Sequence, residues 1–474
     1  MKRAISCILV LILVLQTLLL AGCRNDENTG TETILNENYT SALGVLQHST
    51  DLSSIQTYLI KWANTNNIKV SHDKYNNVIM SIKATPGYED IDSTILHCTL
   101  SLGTPEHTAS AISVMQYIMK HAEEHGFVRL IFTGNTDNAQ EGINKIKVPY
   151  LDGKNLISLD DFDDNSLTVA SAGSELYTMT RNIKRQKPSY TMAYEISIRD
   201  LVGAPLSDEE THPNPITVIG DLLASAKSSG ILMEIASFTG GTDPSRYPAA
   251  ASAVILINQN DVNKLTRLVE KNQEKLYSKY TEQEPNVVYD FTETTKPDSV
   301  LSFNDSSNLI SFLYACINGT YLKNDAGEVI ARSNIGGITT DDKMLTISID
   351  ARSKSSTILE EMDTLFATVC GLCDITYSTT QVYPIWEKNA EFSYDESSDI
   401  REDVALSANP LVTDFSAVMK EYSGKEPKYK RSLDYTACSV AAERNPSLNA
   451  VSFGITQETL IDQAQILLNY LEQK

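Results

Sequence analysis

The sequence predicts an α/β protein with a second, α+β domain inserted into the first. Strands alternate with helices between residues 42 and 133, as in a sheet layered between helices. From about Leu176 to Trp386 the pattern changes to longer strand candidates, and after Asn409 the alternation resumes. A chain of 474 residues with 42% hydrophobic content is large enough for two packed cores.

Residues 42–63 carry apolar groups at helical spacing: Leu43, Leu46, Leu52, Ile55, Leu59, Ile60 and Ala63. Strand-like runs follow at Ile68–Val70 and Val78–Ile82, then a strand at Thr94–Leu100, a helix at Ala109–Ala122 and a strand at Val128–Thr133. The middle region reads as strands flanking two helices, with Pro-rich loops such as Thr211-His212-Pro213-Asn214-Pro215. Asn409–Tyr422, Val451–Gly454 and Thr456–Leu471 complete the first domain. The expected boundaries are a leader at 1–22, a tether at 23–41, the first domain at 42–175 and 387–474, and the inserted domain at 176–386.

The N-terminus joins Lys2 and Arg3 to an apolar run from Ala4 to Leu20, then Leu20-Ala21-Gly22-Cys23. A basic start, an apolar middle and small residues before a cut describe a secretory signal. The last four residues resemble the bacterial lipobox, which makes Cys23 the lipid-modified first residue of a protein anchored outside the cytoplasm, in the cell envelope. The polar stretch from Arg24 to Thr40 is expected to act as a flexible tether with a reach of roughly 20 to 25 Å.

Loss of Lys2 and Arg3 with the leader takes the formal charge from -22 to -24. So acidic a surface argues against nucleic-acid binding. Cys370 and Cys373 have the spacing of a redox or metal pair. They follow a helical pattern and precede a strand-like run, and no second such pair completes a four-thiolate site, so a buried helix-to-strand turn is expected. Gly-x-Ser-x-Gly, Walker and His-Glu-x-x-His motifs are absent, and Asp160-Asp161-Phe162-Asp163-Asp164-Asn165 lacks the Gly and final Glu of a calcium loop.

Asp73-Lys74-Tyr75-Asn76-Asn77 followed by Ala84-Thr85-Pro86-Gly87 is similar to the start of the Xaa-His dipeptidases of the M20 metallopeptidase family. In the same order, Ile157-Ser158-Leu159-Asp160, Gly240-Gly241-Thr242 with Pro248, Ser333-Asn334-Ile335-Gly336, Tyr383-Pro384-Ile385-Trp386 and Val451-Ser452-Phe453-Gly454 resemble family segments. The resemblance implies a zinc-peptidase-like catalytic domain with an inserted α+β lid domain. It also implies two zinc ions, a bridging carboxylate and a Glu that takes a proton from metal-bound water.

On that resemblance the metal positions present are His97, Asp137 and Asp160. The others have changed: Thr99 stands at the Asp that orients the first imidazole, Pro105 at the bridging Asp and Thr136 at the general base. The last histidine of the chain is His212, so the family's C-terminal His is missing after Gly454. Val202-Gly203-Ala204-Pro205 stands at a Gly-Gly-His segment, and Ala437-Cys438 at Glu-Cys. No residue is assigned a catalytic role, because a threonine hydroxyl is no general base near neutral pH. The expectation is no cofactor, or weakly bound zinc, in a catalytically inactive protein that binds a peptide or small ligand. Two alternatives stand: an active zinc-dependent Xaa-His dipeptidase using displaced ligands such as Glu106, His107 or Glu141, and an envelope scaffold whose lid domain forms a homodimer.

Overall fold

The computed structural model describes residues 30–135, 141–162, 166–206, 211–325, 327–386 and 409–472. Cys23 and Asp137 lie outside them, as do the leader and the start of the tether.

The first correction concerns that tether. Residues 30–47 form a helix, α1. Leu35, Tyr39, Ala42 and Leu46 recur at helical spacing and are all buried, so the polar residues between them are the wet face of an amphipathic helix. α2 (Ser53–Thr65), β1 (Lys69–His72), β2 (Val78–Ile82) and β3 (Thr94–Leu100) follow. α3 (Pro105–His121) starts a turn earlier than its apolar pattern, with Pro105 at the first helical position, where its missing N–H costs nothing. β4 (Val128–Gly134), α4 (Glu141–Lys145), β5 (Asn155–Asp161) and β6 (Ser166–Ser171) complete this part.

The inserted domain holds β7 (Gly173–Asn182), β8 (Arg185–Gln186), β9 (Met192–Arg199), α5 (Pro215–Ser228), β10 (Met233–Gly240), β11 (Ala251–Ile257) and α6 (Val262–Tyr280). It continues with β12 (Val288–Glu293), β13 (Val300–Leu301), α7 (Phe303–Ala315), β14 (Gly319–Lys323), β15 (Val329–Thr340), β16 (Met344–Ser353), α8 (Ser356–Cys373) and β17 (Thr376–Tyr383). Among the described residues it therefore has four long helices against the two read from sequence. Cys370 and Cys373 sit in the last turn of α8, both buried, and Asp374 in the left-handed conformation caps the helix before β17.

The chain then returns to the first domain through α9 (Pro410–Ser423), β18 (Lys428–Ser432), α10 (Ala437–Arg444), β19 (Asn449–Gly454) and α11 (Leu460–Leu471). Its sheet has the order β1-β2-β4-β3-β5-β19-β6-β18, and the inner strands β4, β3, β5 and β19 run parallel. The inserted sheet has the order β12-β9-β11-β10-β15-β16-β7-β17, with β14 also paired to β15. The expected α/β fold with an inserted α+β domain is the fold observed.

The two crossings between domains lie side by side. The chain changes sheet at Ala172, a few residues before the expected boundary, and returns at Trp386, which exchanges two backbone hydrogen bonds with Ser171 (3.1 and 3.0 Å). Arg352 of β16 reaches Asp350 at 2.9 Å and, across the junction, Asp434 at 2.5 Å. The rings of Tyr383 and Tyr435 stack at 3.5 Å beside this ion pair.

Candidate functional site

Parallel strands place their carboxyl ends along one edge of the first sheet, where α/β proteins hold ligands. Leu100, Gly134 and Asp161 end β3, β4 and β5 at that edge. Because side chains alternate along a strand, His97 and Thr99 share a face of β3, and Ser158 and Asp160 a face of β5. The pairing of β3 with both β4 and β5 sets Thr133 on the other side.

These side chains close a hydrogen-bonded ring of interactions. His97 is fully buried. Its Nδ1 lies 2.9 Å from the Ser158 hydroxyl and 3.3 Å from Asp160 Oδ2, and its Nε2 lies 2.9 Å from the Thr133 hydroxyl. Ser158 gives its single proton to Asp160 Oδ2 at 2.8 Å, so Nδ1 must be the donor on that side of the ring. Nε2 faces the Thr133 hydroxyl, so both ring nitrogens are engaged in hydrogen bonds. Asp160 also accepts from the Thr99 amide at 2.8 Å and the Thr99 hydroxyl at 2.8 Å. Burial alone would push the Asp160 carboxyl up. The adjoining His97 ring, the Thr99 amide and the Ser158 hydroxyl outweigh it and hold the carboxyl well below the usual carboxylate range.

The structure thus brings His97 and Asp160 together, as the resemblance implies, and uses each to satisfy the other's surroundings. Two-zinc chemistry does not fit these residues as they are arranged: both nitrogens of the His97 ring are hydrogen-bonded to hydroxyls, and four donors surround the Asp160 carboxylate oxygens that a metal would need. Among the described residues, no group of three or more His, Cys, Asp or Glu side chains is placed to hold a metal ion. The displaced-ligand candidates do not supply one. His107 Nε2 lies 2.9 Å from the Asp161 carbonyl and its ring packs on Phe162 at 4.2 Å, while Glu106 and Glu141 are exposed.

Cys438, near the start of α10, is fully buried beside this network; desolvation first, and then the Asp160 charge, push its thiol well above the ordinary range. Ser158 and Thr133 carry the network, yet the sequence reading gave them no role. Their signal was the two-residue spacing of Ser158 from Asp160, and a hydroxyl at the end of an otherwise apolar strand.

In the inserted domain the family-like segments meet as packing. Gly241 has φ +58°, and a Cβ there would lie 2.0 Å from the Gly336 carbonyl oxygen. A Cβ on Gly336 would lie 2.1 Å from Pro244 Cα. Asn334 donates to the carbonyls of Pro244 and Arg246 at 2.9 and 2.7 Å, and accepts from Asn214 at 3.0 Å. The Val202–Pro205 segment, at the Gly-Gly-His position, is tied down by Glu284, which accepts from the Val202 amide and pairs with buried His212, both at 2.7 Å. That His212–Glu284 pair carried no sequence signal, since its partners are 72 residues apart.

No family model matches the sequence, and a search of curated proteins returns no match. Solved structures do match. The crystal structure of aminoacylhistidine dipeptidase from Vibrio alginolyticus superposes over 93% of this chain and 97% of its own, with a TM-score of 0.71 and 19% identity. A tripeptidase from Staphylococcus aureus follows at 0.52 and 11%, and the aminopeptidase PepT from Bacillus cereus at 0.50 and 12%, each over 93% of this chain and 98% of theirs. At these identities the likeness is one of fold, and it spans both domains.

Proposed function

We propose that this chain is a lipid-anchored envelope protein that uses a dipeptidase-like scaffold to bind a peptide or small ligand without hydrolysing it. The observation that carries the reading is the closed network of Thr133, His97, Ser158, Thr99 and Asp160, which spends on internal hydrogen bonds the atoms that a metal would need. Interfaces between domains are favoured places for a ligand. A scan of thermal stability against dipeptides and histidine compounds tests it: one class that raises the midpoint, with no amino acid released, is the expected result. Zinc-dependent release of amino acids from Xaa-His dipeptides, abolished by His97→Ala, would replace this reading with that of an active metallodipeptidase.

The membrane anchor rests on the leader and Cys23. Its own test is Cys23→Ser, which is expected to release the protein from the membrane or leave it unprocessed. Normal cleavage with unchanged membrane fractionation would contradict it.

A further inference from the structure

We infer that a second copy of this chain docks on the outer edge of the inserted domain, its β17 pairing with this β17 across a two-fold axis. The inference is independent of the anchor and of the ligand.

The inserted domain is built from two similar halves. One is β9, α5, β10, β11, α6 and β12, with strand order β12-β9-β11-β10; the other is β7, α7, β15, β16, α8 and β17, with order β17-β7-β16-β15. Neighbouring strands within each half are antiparallel. The inner edges, β10 and β15, pair with each other. That leaves β12 and β17 as equivalent strands at the two ends of the sheet.

Those equivalents differ in charge. An open strand edge invites another strand, and proteins discourage the pairing with charged side chains. β12 carries Asp290 and Glu293, and α6, which bonds to it through Asn272 and Gln273, is charged along its length. The edges of the first sheet are guarded too, by Lys69 in β1 and by Lys428, Lys430 and Arg431 in β18. β17 has no charged residue in its eight positions. Its Ser378, Thr379 and Thr380 are exposed, and its outer side pairs with no strand among the described residues.

The helix above β17 continues the uncharged edge. Tyr377 of β17 bonds Asp363 of α8 at 3.4 Å, which fixes the flank of the helix that faces this side. One and two turns further along that flank stand Ala367 and Gly371, both exposed, and α8 has no charged residue after Asp363. Asp374, between helix and strand, is paired with Arg181 at 2.7 Å.

The occupant follows from these two layers. A lone extended peptide would cover the strand and leave the helix flank bare. A second copy brings the same two layers, so strand meets strand and helix flank meets helix flank across one axis. Each copy carries a formal charge of -22, so repulsion opposes contact wherever carboxylates face each other, and this edge presents none that is unpartnered.

The test is sedimentation equilibrium of the full chain in detergent, with melting of each variant followed alongside. A dimer at micromolar concentration is the expected result. Thr379→Lys lies on exposed strand, and Gly371→Glu adds a side chain where a Cβ meets nothing within 4 Å, so both leave the fold intact. Each is expected to raise the dissociation constant at least about tenfold, because every dimer then buries two unpaired charges. Thr292→Lys, on the equivalent edge at β12, is expected to change nothing. A monomer throughout the micromolar range overturns the inference. So does a dimer that Thr379→Lys and Gly371→Glu leave unchanged, or one that Thr292→Lys weakens equally.

Discussion

The backbone junction of the inserted domain and the strand-end network of the first domain answer the same family-like sequence in opposite ways. At Gly241 and Gly336 the matching residues do what the scaffold needs: the chains approach so closely that no side chain fits between them. At His97 and Asp160 the matching residues persist, but their neighbours are hydroxyls, and the group binds itself. A fold is kept by residues that set backbone approach, and a metal centre by the complete set of its ligands.

The sharpest break in the comparison is on the scaffold side. Gly241→Ala adds a Cβ against a carbonyl at a positive φ, and is expected to cost about 3 to 5 kcal/mol, read by urea unfolding. Wild-type stability in that variant would show that the approach is not what holds the junction.

Next in size, His97→Ala leaves the hydroxyls of Ser158 and Thr133 short of a partner in a buried site, with an expected loss of about 2 to 4 kcal/mol without any metal present. A chelator-treated wild type should lose nothing. The reverse pattern, with a chelator destabilising the protein and His97→Ala adding no more, would move His97 back among metal ligands.

A smaller effect concerns pH. The folded state holds Asp160 below its ordinary value of 3.8, so its contribution is complete above that value and fades as pH falls through it. Asp160→Asn should lower stability at neutral pH and flatten its decline between pH 5 and the acid limit. An acid limb as steep as that of wild type would contradict the assignment.

Smallest is the response of the thiols. Burial pushes Cys370 up to about 11 and Cys98, Cys316 and Cys438 well above the ordinary range, so native protein at pH 8 should be nearly inert to a thiol reagent and react fully once unfolded. Prompt reaction of Cys370 or Cys373 in the native state would reopen a redox role for that pair.

Much of the architecture was legible. Strand β3 begins and ends where its apolar run does, and the two-domain division follows the change in strand length. α1 was hidden because its buried stripe is sparse: Leu35 and Tyr39 are spaced among charged and amide residues, a composition that also suits a tether. The inserted domain holds two more helices than its sequence pattern announced; Val262–Tyr280, the longest of them, is largely charged and buries only Leu265, Val269 and Leu276.

At the site, His97 and Asp160 were legible as a pair through the resemblance. Their partners were not, because a hydroxyl bonded to an imidazole leaves no pattern along the chain. Only the register of β3 with β4 and β5 brings Thr133 and Ser158 to the two sides of one ring.

The direct test of the central claim is the zinc content of the purified protein after equilibration with zinc and removal of unbound ions. Occupancy near zero is the result expected of a network that has used up its own donor atoms. Two zinc ions per chain would contradict it and make hydrolysis of Xaa-His dipeptides the activity to assay.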